Sequence, residues 1–595
     1  MSAAPPPERS TLATLKALLR ILSGGRRRDI VRTAAMTLLG TFSELLTIGS
    51  VVPFLAIVSN PEAARSFPGV GAVIGLIGAD SERELLIAAT GLLIAATLFA
   101  AMVRLLILWS TQRTVVGLGH EISTTIYSRM LRQPYIHFLG SNPSEHYASV
   151  DKVQALTFSV FMPMIQGLNA SVIAIGIGLL LVAIDPLTAL LGAGVTAGVY
   201  VLVTLFARRR LKANSAILAR QQTARMQAIQ EAVGGIRDIL LGHTQNAFEE
   251  SFRAVDLRLR RATAANIFIA QAPRFLVEAV GIVLIGLLAL AMSQRPGGIM
   301  AAVPVLGALA LGAQRLFPLL QQAYSGWSVF AGNTQVLVDV VALLEAPVVE
   351  AAGAPLDGPV RPFERDIVFD RVGMSYPNRP AVLQDVRLTI AKGERIGLVG
   401  TTGSGKSSFL DVLMALIDPD RGEVRIDGVP LGDATRANWQ AQIAHVPQAV
   451  YLSDSSIAAN IAFGAPQAAI DMARIEAAAR QAQMHEFILT LPQGYATPVG
   501  ERGVRLSGGQ RQRIAIARAL YKDATLLIFD EATAALDRKT EAAIMDSVKA
   551  LGRDRTILIV AHRISALDGC DRIVRIEAGR IVESGAYGEL VGDSA

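Results

Sequence analysis

Cysteine is nearly absent from this sequence. The one cysteine, Cys570, excludes a disulfide within the chain and is typical of a protein whose soluble part stays in a reducing compartment. Charged residues are also scarce, at 18% of the 595 residues, whereas hydrophobic residues make up 51% and the mean hydropathy is +0.42. This composition indicates a membrane protein, or a membrane part fused to a soluble part.

A strong net charge is lacking as well. The net charge of +6 is small for this length, and the arginines cluster beside apolar runs. Such clusters are typical of the cytoplasmic loops of membrane proteins, so we expect no nucleic-acid partner. The first residues, MSAAPPPERS, are followed by no apolar segment with a cleavage site, so we expect no cleavable signal peptide.

Six apolar segments are long enough to cross a bilayer, which takes about 20 residues each. They lie near residues 34–58, 85–110, 160–184, 187–206, 266–293 and 299–330. Arginine triplets at 26–28 and 208–210 mark the cytoplasmic ends of the first and fourth segments. Six crossings from a cytoplasmic N-terminus return the chain to the cytosol.

The polar connections 111–159 and 207–265 are predicted to be helices that run far into the cytosol. We expect them to turn at GSNPSEHY (140–147) and near GGIRD (234–238). The apolar stripe in TLATLKALLRIL (11–22) favours a helix at the membrane interface over an ordinary soluble helix. Helical spacing within the first outer connection predicts a short amphipathic helix at 65–78, with a glycine-loosened loop as the alternative.

The composition changes after the sixth segment. Residues 346–363 are rich in proline, glycine and alanine and read as a linker. Beyond them, short β-branched runs alternate with helical stretches, which is typical of a soluble α/β domain. The predicted divisions are 1–29 (cytoplasmic segment with the interfacial helix), 30–345 (six-helix membrane domain), 346–363 (linker) and 364–595 (α/β domain).

The motif GTTGSGKSS (400–408) carries the first chemical signal. It follows a strand-like run and precedes a periodic apolar helix, which is the context of a phosphate-binding loop. Its glycines let backbone N–H groups face phosphates, Lys406 would hold the β- and γ-phosphates, and Ser407 would bind Mg²⁺. ATP is therefore expected to contact Gly400, Thr401, Thr402, Gly403, Ser404, Gly405, Lys406, Ser407 and Ser408.

The run LLIFDE (526–531) supplies a second half to this site. Asp530 at the end of a predicted strand can bind Mg²⁺ through water. Glu531 is placed to polarise the attacking water, which phosphoryl transfer requires opposite the leaving phosphate. An apolar strand ending in two acids is nonspecific alone, but it is a strong signal beside a phosphate-binding loop.

The stretch LSGGQRQRIAIARAL (506–520) resembles the signature of ATP-binding cassette (ABC) proteins, and the resemblance extends over residues 364–590. It implies that Tyr376 stacks on adenine, that Gln448 touches Mg²⁺, and that His562 holds the γ-phosphate. TPVGERG (497–503) is similar to a motif of the exporters in this family. The implied contacts of the signature are Ser507, Gly508, Gly509 and Gln510.

The resemblance also implies a homodimer. In this family ATP lies between the phosphate loop of one nucleotide domain and the signature of another, and this chain has one of each. One departure is Ala534 in AALD (534–537), where the family usually has serine. Loss of this hydroxyl could weaken coupling between the two sites but leaves the hydrolytic groups in place. The implied catalytic set is Lys406, Gln448, Glu531 and His562.

Five ionisable residues occupy the predicted spans: Glu44, Arg104, Arg274, Glu278 and Arg315. At about 1.5 Å per residue they lie roughly 21–28 Å below the outer helix ends. They are therefore predicted to share one level in the inner half of the membrane. Two interpretations stay open on charge alone. In the first, the charges neutralise one another: Arg274 and Glu278 are four residues apart on one helix, and Glu44 pairs with Arg104 or with Arg315. In the second, the surplus positive charge binds an anionic group such as phosphate.

The membrane half is similar to lipid-linked oligosaccharide flippases, through FSELLTIGSVVPFLAIVSNP (42–61), MVRLLI (102–107), QAPRFLVEAVG (271–281) and AQRLFPLLQQ (313–322). The resemblance implies that Arg104, Arg274 and Arg315 meet a pyrophosphate and that an external helix engages the lipid tail. The expected fold is accordingly a six-helix, type I exporter-like membrane domain fused to an α/β P-loop ATPase domain.

The function expected from the sequence is that of a homodimeric, ATP-hydrolysing flippase of the bacterial inner membrane. It would move an anionic polyprenyl-pyrophosphate glycan from the inner to the outer leaflet, with ATP and Mg²⁺ as cofactors and a second copy of itself as partner. An exporter of lipid A-like lipids, hydrophobic drugs or peptides is the alternative. A regulator or gated channel on the same scaffold predicts degenerate hydrolytic residues, but Glu531 and His562 are both present. Six spans exclude a soluble cassette ATPase.

Overall fold

The computed structural model describes residues 11–59, 82–140, 143–184, 186–293, 298–348, 360–377, 379–532, 537–561 and 567–587. The chain forms two compact units: residues 1–131 with 141–347, and residues 132–140 with 348–595. The predicted outer helix at 65–78 lies outside the described residues.

The N-terminal part of the chain is helical. Its helices are α1 (Thr11–Ile21), α2 (Gly24–Ser59), α3 (Glu82–Met130), α4 (Tyr135–Gly140), α5 (Pro143–Leu156), α6 (Met162–Ile184), α7 (Pro186–Gly234), α8 (Ile236–Leu241), α9 (Gln245–Ser293), α10 (Gly298–Ala331) and α11 (Thr334–Glu345). A π-helical turn, Thr157–Phe161, joins α5 to α6. Helix α4 lies in the second unit, and the others lie in the first.

Within the described residues, five helices are long and apolar enough to span a membrane. They are Gly24–Val51, Leu86–Met130, Ser149–Ala183, Pro186–Gly234 and Gln245–Leu284. A sixth candidate is the pair Gly312–Ala331 and Thr334–Glu345, bent by 54°. The helices run well beyond the apolar segments found in the sequence, because arginine, lysine and glutamate continue a helix readily once it leaves lipid.

Hydroxyl and amide side chains join three of the long helices. Thr33 Oγ1 of α2 lies 2.9 Å from both Ser110 Oγ and Thr114 Oγ1 of α3. One turn further along α2, the Thr37 hydroxyl donates to Asn169 Oδ1 of α6 over 2.7 Å. Inside a bilayer, close packing and hydrogen bonds of this kind associate helices, since lipid is as apolar as leucine.

A cluster of buried apolar residues lies where α1, α3, α5 and α11 meet. Leu18 of α1 and Leu22, just after the end of that helix, are buried there with Ile122 of α3, Leu156 of α5 and Leu337 of α11. The apolar stripe of α1 is thus covered by protein along part of its length, while Leu19 and Ile21 stay exposed. Placement of this helix at a membrane interface stays a prediction.

The second unit contains all ten described strands. They are β1 (Asp366–Ser375), β2 (Ala381–Ala391), β3 (Arg395–Val399), β4 (Arg421–Ile426), β5 (Val429–Pro430), β6 (Ile443–Val446), β7 (Leu526–Asp530), β8 (Thr556–Val560), β9 (Arg572–Glu577) and β10 (Arg580–Gly585). Its helices are α12 (Lys406–Leu413), α13 (Asp433–Ala441), α14 (Ile457–Ile461), α15 (Met472–Gln481), α16 (His485–Thr490), α17 (Gly508–Lys522) and α18 (Arg538–Lys549).

Two sheets organise this unit. One is antiparallel, in the order β2-β1-β4-β5, and the other has the order β10-β9-β3-β8-β7-β6. In the second sheet, β9, β3, β8, β7 and β6 are parallel. The carboxyl ends of β3, β7 and β8 therefore meet at one edge, which brings together loops that are more than 100 residues apart in sequence.

Candidate functional site

The loop 400–405 connects β3 to α12, as its motif predicts. Gly403 and Gly405 have φ of +81° and +107°, a left-handed conformation that side chains disfavour. The Ser404 amide donates to Thr401 O over 3.1 Å, and Gly579 N donates to Ser404 O over 2.9 Å. The loop is thus folded on itself and tied to the β9–β10 turn. Its amides lie at the N-terminus of α12, where an anion is stabilised.

Lys406 begins α12 and is buried. Its ammonium donates to the carbonyls of Gly400 over 2.7 Å and Thr401 over 3.0 Å. These carbonyls hold the cation over the loop in which the phosphates are expected to lie. A phosphate oxygen can replace either carbonyl, because the ammonium keeps three donors on a flexible stem.

Glu531 follows the last residue of β7. Its amide donates to Val560 O over 3.0 Å, and its φ of +50° is unusual for a residue with a side chain. Gln448 Nε2 donates to Glu531 Oε2 over 2.6 Å, although the two residues are 83 positions apart. The fold therefore brings together the predicted water-polarising carboxylate and the predicted glutamine, at a turn with a strained backbone.

The residues predicted to bind Mg²⁺ are Ser407, Gln448 and Asp530. All three offer oxygen atoms, which Mg²⁺ prefers, and Ser407 is exposed at the start of α12. Within the described residues, no cluster of three or more histidine, cysteine, aspartate or glutamate side chains could hold a metal by itself. This donor set fits Mg²⁺, which usually binds to one or two carboxylates and completes its shell with phosphates and water.

Tyr376 contacts α12 through its hydroxyl group. This oxygen lies 3.0 Å from Ser408 Oγ and donates to Asp411 Oδ2 over 3.5 Å. Burial, and to a lesser degree the charge of Asp530, raise the pKa of Asp411 to about 6. Asp411 is not among the residues predicted from the sequence. Its available signal was a lone acid in the apolar helix SFLDVLMAL (408–416), but only the fold places that acid beside the tyrosine.

The short helix α4 adds a second tyrosine to this region. Burial raises the pKa of Tyr135, and the charges of Asp411 and Tyr376 raise it further. The segment that carries α4 connects two long helices of the first unit, yet it belongs to the same compact unit as the phosphate-binding loop.

The signature residues lie at the start of α17. Ser507 is the N-cap of this 15-residue helix, and its hydroxyl accepts from Gln510 N over 3.2 Å. Gln510 Oε1 accepts in return from Ser507 N over 2.8 Å, which completes a capping box. The amides of Gly508 and Gly509 follow in the first turn of α17. The N-terminus of α17 is thus the second helix N-terminus, after that of α12, at which an anion is stabilised.

Two predicted features cannot be located. His562 and Ala534 both lie outside the described residues, so their roles stay predictions.

Three of the five charges in the membrane helices line one cavity. This cavity, the arginine cavity, has a volume of about 440 Å³ and lies between α2, α3, α6 and α10. Glu44 forms an ion pair with Arg104 there. Glu44 is almost fully buried, and its second carboxylate oxygen has no hydrogen-bond partner within the described part of the chain. The other polar residues that line the arginine cavity are Thr111, Gln166, Asn169, Gln314, Arg315 and Gln322.

The remaining two charges pair in a neighbouring cavity. Arg274 Nε donates to Glu278 Oε1 over 2.7 Å, as expected for residues four positions apart on α9. Their cavity, the ion-pair cavity, has a volume of about 520 Å³ and shares Gln166, Pro318 and Gln322 with the arginine cavity. The five charges therefore divide into two adjoining groups.

Arg315 differs from the other two arginines. It is exposed in the arginine cavity and forms no hydrogen bond or ion pair with any residue that the structure describes. Internal neutralisation thus accounts for Arg104 and Arg274, while the surplus charge resides on Arg315. The pairing interpretation thus holds for Arg104 and Arg274, and binding of an anionic group by Arg315 stays a prediction.

The cassette region matches a known family. Residues 383–534 match the model of the ABC transporter family. Over 96% of both chains, the structure is similar to that of a bacterial Atm1-family ABC exporter with ATP bound, with a TM-score of 0.77. The sequence identity of 21% means that this likeness shows the fold alone. The exporter-like fold expected from the sequence is confirmed.

Three relatives of higher identity are each named ATP-dependent lipid A-core flippase. The protein of Alkalilimnicola ehrlichii is 48% identical over 235 residues, which are 39% of this chain and 40% of the relative. That of Cupriavidus metallidurans is 37% identical over 374 residues, or 61% of each chain. That of Bordetella avium is 36% identical over 398 residues, or 65% of each chain. The chain thus spans between 40% and 65% of the length of these relatives.

Proposed function

The chain carries an ABC transporter domain and has the fold of an ABC exporter, and from this premise we propose that it is an ATP-driven lipid flippase. In this proposal two copies form a homodimer in the bacterial inner membrane, with the cassettes in the cytosol. The dimer moves an anionic, phosphate-bearing lipid from the inner to the outer leaflet.

The lipid part of this proposal rests on the position of Arg315, which is exposed in the arginine cavity and has no partner among the described residues. A cation within an apolar helix costs several kcal/mol, roughly 2.5–3.5 on insertion scales, unless it faces a cavity or a partner. Arg315 faces the arginine cavity, and Glu44 is already paired with Arg104. The arginine cavity thus keeps one positive charge, which a phosphate can neutralise through two parallel hydrogen bonds to the guanidinium.

The residues of the cassette supply the hydrolytic part. Lys406 transfers its hydrogen bonds from loop carbonyls to phosphate oxygens, and the N-terminus of α17 in the second copy faces the same nucleotide through Ser507. Glu531 then orients the attacking water once its carboxylate leaves Gln448. Mg²⁺, when bound, neutralises charge that develops on the phosphates.

The substrate class is the finer part of the proposal. The names of the relatives support a lipid A-like lipid, the alternative from the sequence, better than a polyprenyl-pyrophosphate glycan. A phosphorylated, multiply acylated glycolipid is therefore our first candidate for the transported substrate. The pyrophosphate-linked glycan is the second candidate. The sequence resemblance to those flippases implies that Arg104, Arg274 and Arg315 meet a pyrophosphate, and the three arginines line two adjoining cavities.

Reconstituted full-length protein tests the proposal. In vesicles of bacterial phospholipid, a lipid A-core glycolipid should stimulate ATP hydrolysis and move to the opposite leaflet, whereas a neutral hydrophobic drug should do neither. The variant E531Q in the same vesicles controls for passive movement. Stimulation by the polyprenyl-pyrophosphate glycan alone would select the second candidate. Stimulation by neutral drugs alone would refute an anionic substrate.

A further inference from the structure

Four glutamines line the arginine cavity and the ion-pair cavity without a partner in the chain. They form no hydrogen bond or ion pair with any residue that the structure describes. Gln314 lines the arginine cavity, Gln271 lines the ion-pair cavity, and Gln166 and Gln322 line both. We call these four residues the cavity glutamines. Polar side chains in membrane helices are costly and are retained where they face a cavity or a partner.

The other amides of these cavities are bonded at both ends. Gln321 accepts from the Tyr200 hydroxyl over 3.3 Å and donates to Ala270 O over 2.8 Å. Asn169 accepts from one threonine hydroxyl over 2.7 Å and donates to another over 3.3 Å. These two amides therefore join helices to one another. The cavity glutamines have no such role among the described residues, so we expect their partner to be a ligand.

The cavity glutamines surround an unbalanced positive charge. Gln314 directly precedes Arg315 on α10, and Gln322 follows it by about two turns, so that all three line the arginine cavity. The charged residues of the two cavities are three arginines and two glutamates, which leaves one net positive charge. A phosphate balances this charge, whereas an ammonium head group would add to it.

A second copy of the chain does not supply the missing partner. The acids of the six apolar segments are Glu44 and Glu278, and both are already in ion pairs. A span of a second copy that covered Gln314 and Gln322 would also cover Arg315, yet it would bring no free acid to that arginine. A cation left without a partner in such a contact is costly. The ligand is therefore anionic and comes from outside the protein.

The spacing of the glutamines favours a head group with many hydroxyls. A hydroxyl donates and accepts hydrogen bonds, as an amide does. Gln314 and Gln322 are eight residues apart, about 12 Å along α10, and Gln166 and Gln271 lie on two other helices. A glycerol head group is too short to reach from Gln314 to Gln322. A chain of two or more sugar rings presents hydroxyls over that length.

We propose that the cavity glutamines bind the sugar rings of the transported lipid while its phosphate lies at Arg315. This inference rests on the proposed function and names the part of the head group that the arginine does not contact. The protein then prefers a phosphorylated glycolipid to a phospholipid that carries the same phosphate without a sugar.

Two lipids with one phosphate each test this inference on the full-length protein in nanodiscs. One is a monophosphorylated, lipid A-like disaccharide lipid, and the other is phosphatidic acid. The measured quantity is the lipid concentration that gives half-maximal stimulation of ATP hydrolysis. In wild-type protein we expect this concentration to be at least about tenfold lower for the glycolipid, the effect of a few net hydrogen bonds. Gln322→Leu should raise it about tenfold for the glycolipid and leave it unchanged for phosphatidic acid.

Gln112→Leu is the matched control. Gln112 is exposed on α3, forms no hydrogen bond with a described residue and lines neither cavity, so this variant should match wild type with both lipids. Gln271→Leu, on α9, replaces Gln322→Leu if that variant does not fold, and the wild-type comparison needs no variant.

Three results would overturn the inference. They are equal half-stimulating concentrations of the two lipids in wild-type protein, a Gln322→Leu variant that changes both concentrations alike or neither, and a Gln322→Leu variant that loses the dimer in native mass spectrometry while its lipid response is unchanged. If neither lipid stimulates ATP hydrolysis, the proposed function itself fails. If both lipids stimulate it without a preference for the sugar, only this inference fails.

Discussion

Arg104 and Arg315 line the same cavity, but replacing them should have different consequences. Arg104→Gln removes the partner of Glu44, whose side chain is 6% exposed. Breaking a buried pair in this way costs about 3–5 kcal/mol, because a charge is left without a partner. The Arg104 side chain is 45% exposed, so we reduce the expected loss of stability to about 2 kcal/mol. Arg315→Gln breaks no described pair and should stay within about 0.5 kcal/mol of wild type.

Thermal unfolding and lipid-stimulated ATP hydrolysis together separate the two roles. We expect Arg104→Gln to lower the melting temperature by several degrees, and we expect Glu44→Gln in the same chain to restore most of the loss. Arg315→Gln should keep the melting temperature and basal hydrolysis while losing most of the stimulation by an anionic lipid. A melting temperature for Arg315→Gln as low as that of Arg104→Gln would refute this reasoning, as would a double variant no more stable than Arg104→Gln.

Three further predictions concern the cassette. Glu531→Gln should bind ATP but hydrolyse it at least about a hundredfold more slowly, because the water loses its carboxylate; normal turnover in a phosphate-release assay would contradict its role. Burial raises the pKa of Asp411 to about 6, above its ordinary 3.8. The protonated carboxyl therefore stabilises the folded state below about pH 4, and this stabilisation is lost as the pH rises to about 6. Asp411→Asn, which keeps an acceptor for Tyr376, should therefore be about 1–2 kcal/mol more stable than wild type at pH 7.5, with the gap closing near pH 4; parallel melting curves across pH would exclude this. Ser507→Ala should cost about 1 kcal/mol through loss of the α17 cap and weaken ATP-dependent dimerisation, whereas Ser507→Thr keeps the hydroxyl and should stay near wild type in both assays.

The nucleotide loop could be predicted from sequence because its chemistry is local. Spacing alone places Lys406 and Ser407 at a helix start after a strand, and the fold follows that pattern. Family resemblance implied only that Gln448 and Glu531 both belong to the catalytic set. Their contact depends on parallel strands that bring two distant loops to one edge of the sheet.

The membrane charges show where prediction from sequence ends. Depths uncertain by one turn or more could not decide whether Glu44 pairs with Arg104 or with Arg315, and helix rotation decides it in favour of Arg104. Asp411 was missed for the same reason. It looks like an ordinary residue of its helix until the neighbouring element is in place.

The hydrogen bond between Gln448 and Glu531 has a consequence for energy economy in the cell. A pump that can hydrolyse ATP at any moment runs idle whenever no cargo is present. In this chain the carboxylate that would activate water is occupied by an amide 2.6 Å away, on a backbone already strained at φ +50°. That bond has to open before Glu531 can orient a water, so we expect it to slow ATP hydrolysis while no substrate is bound.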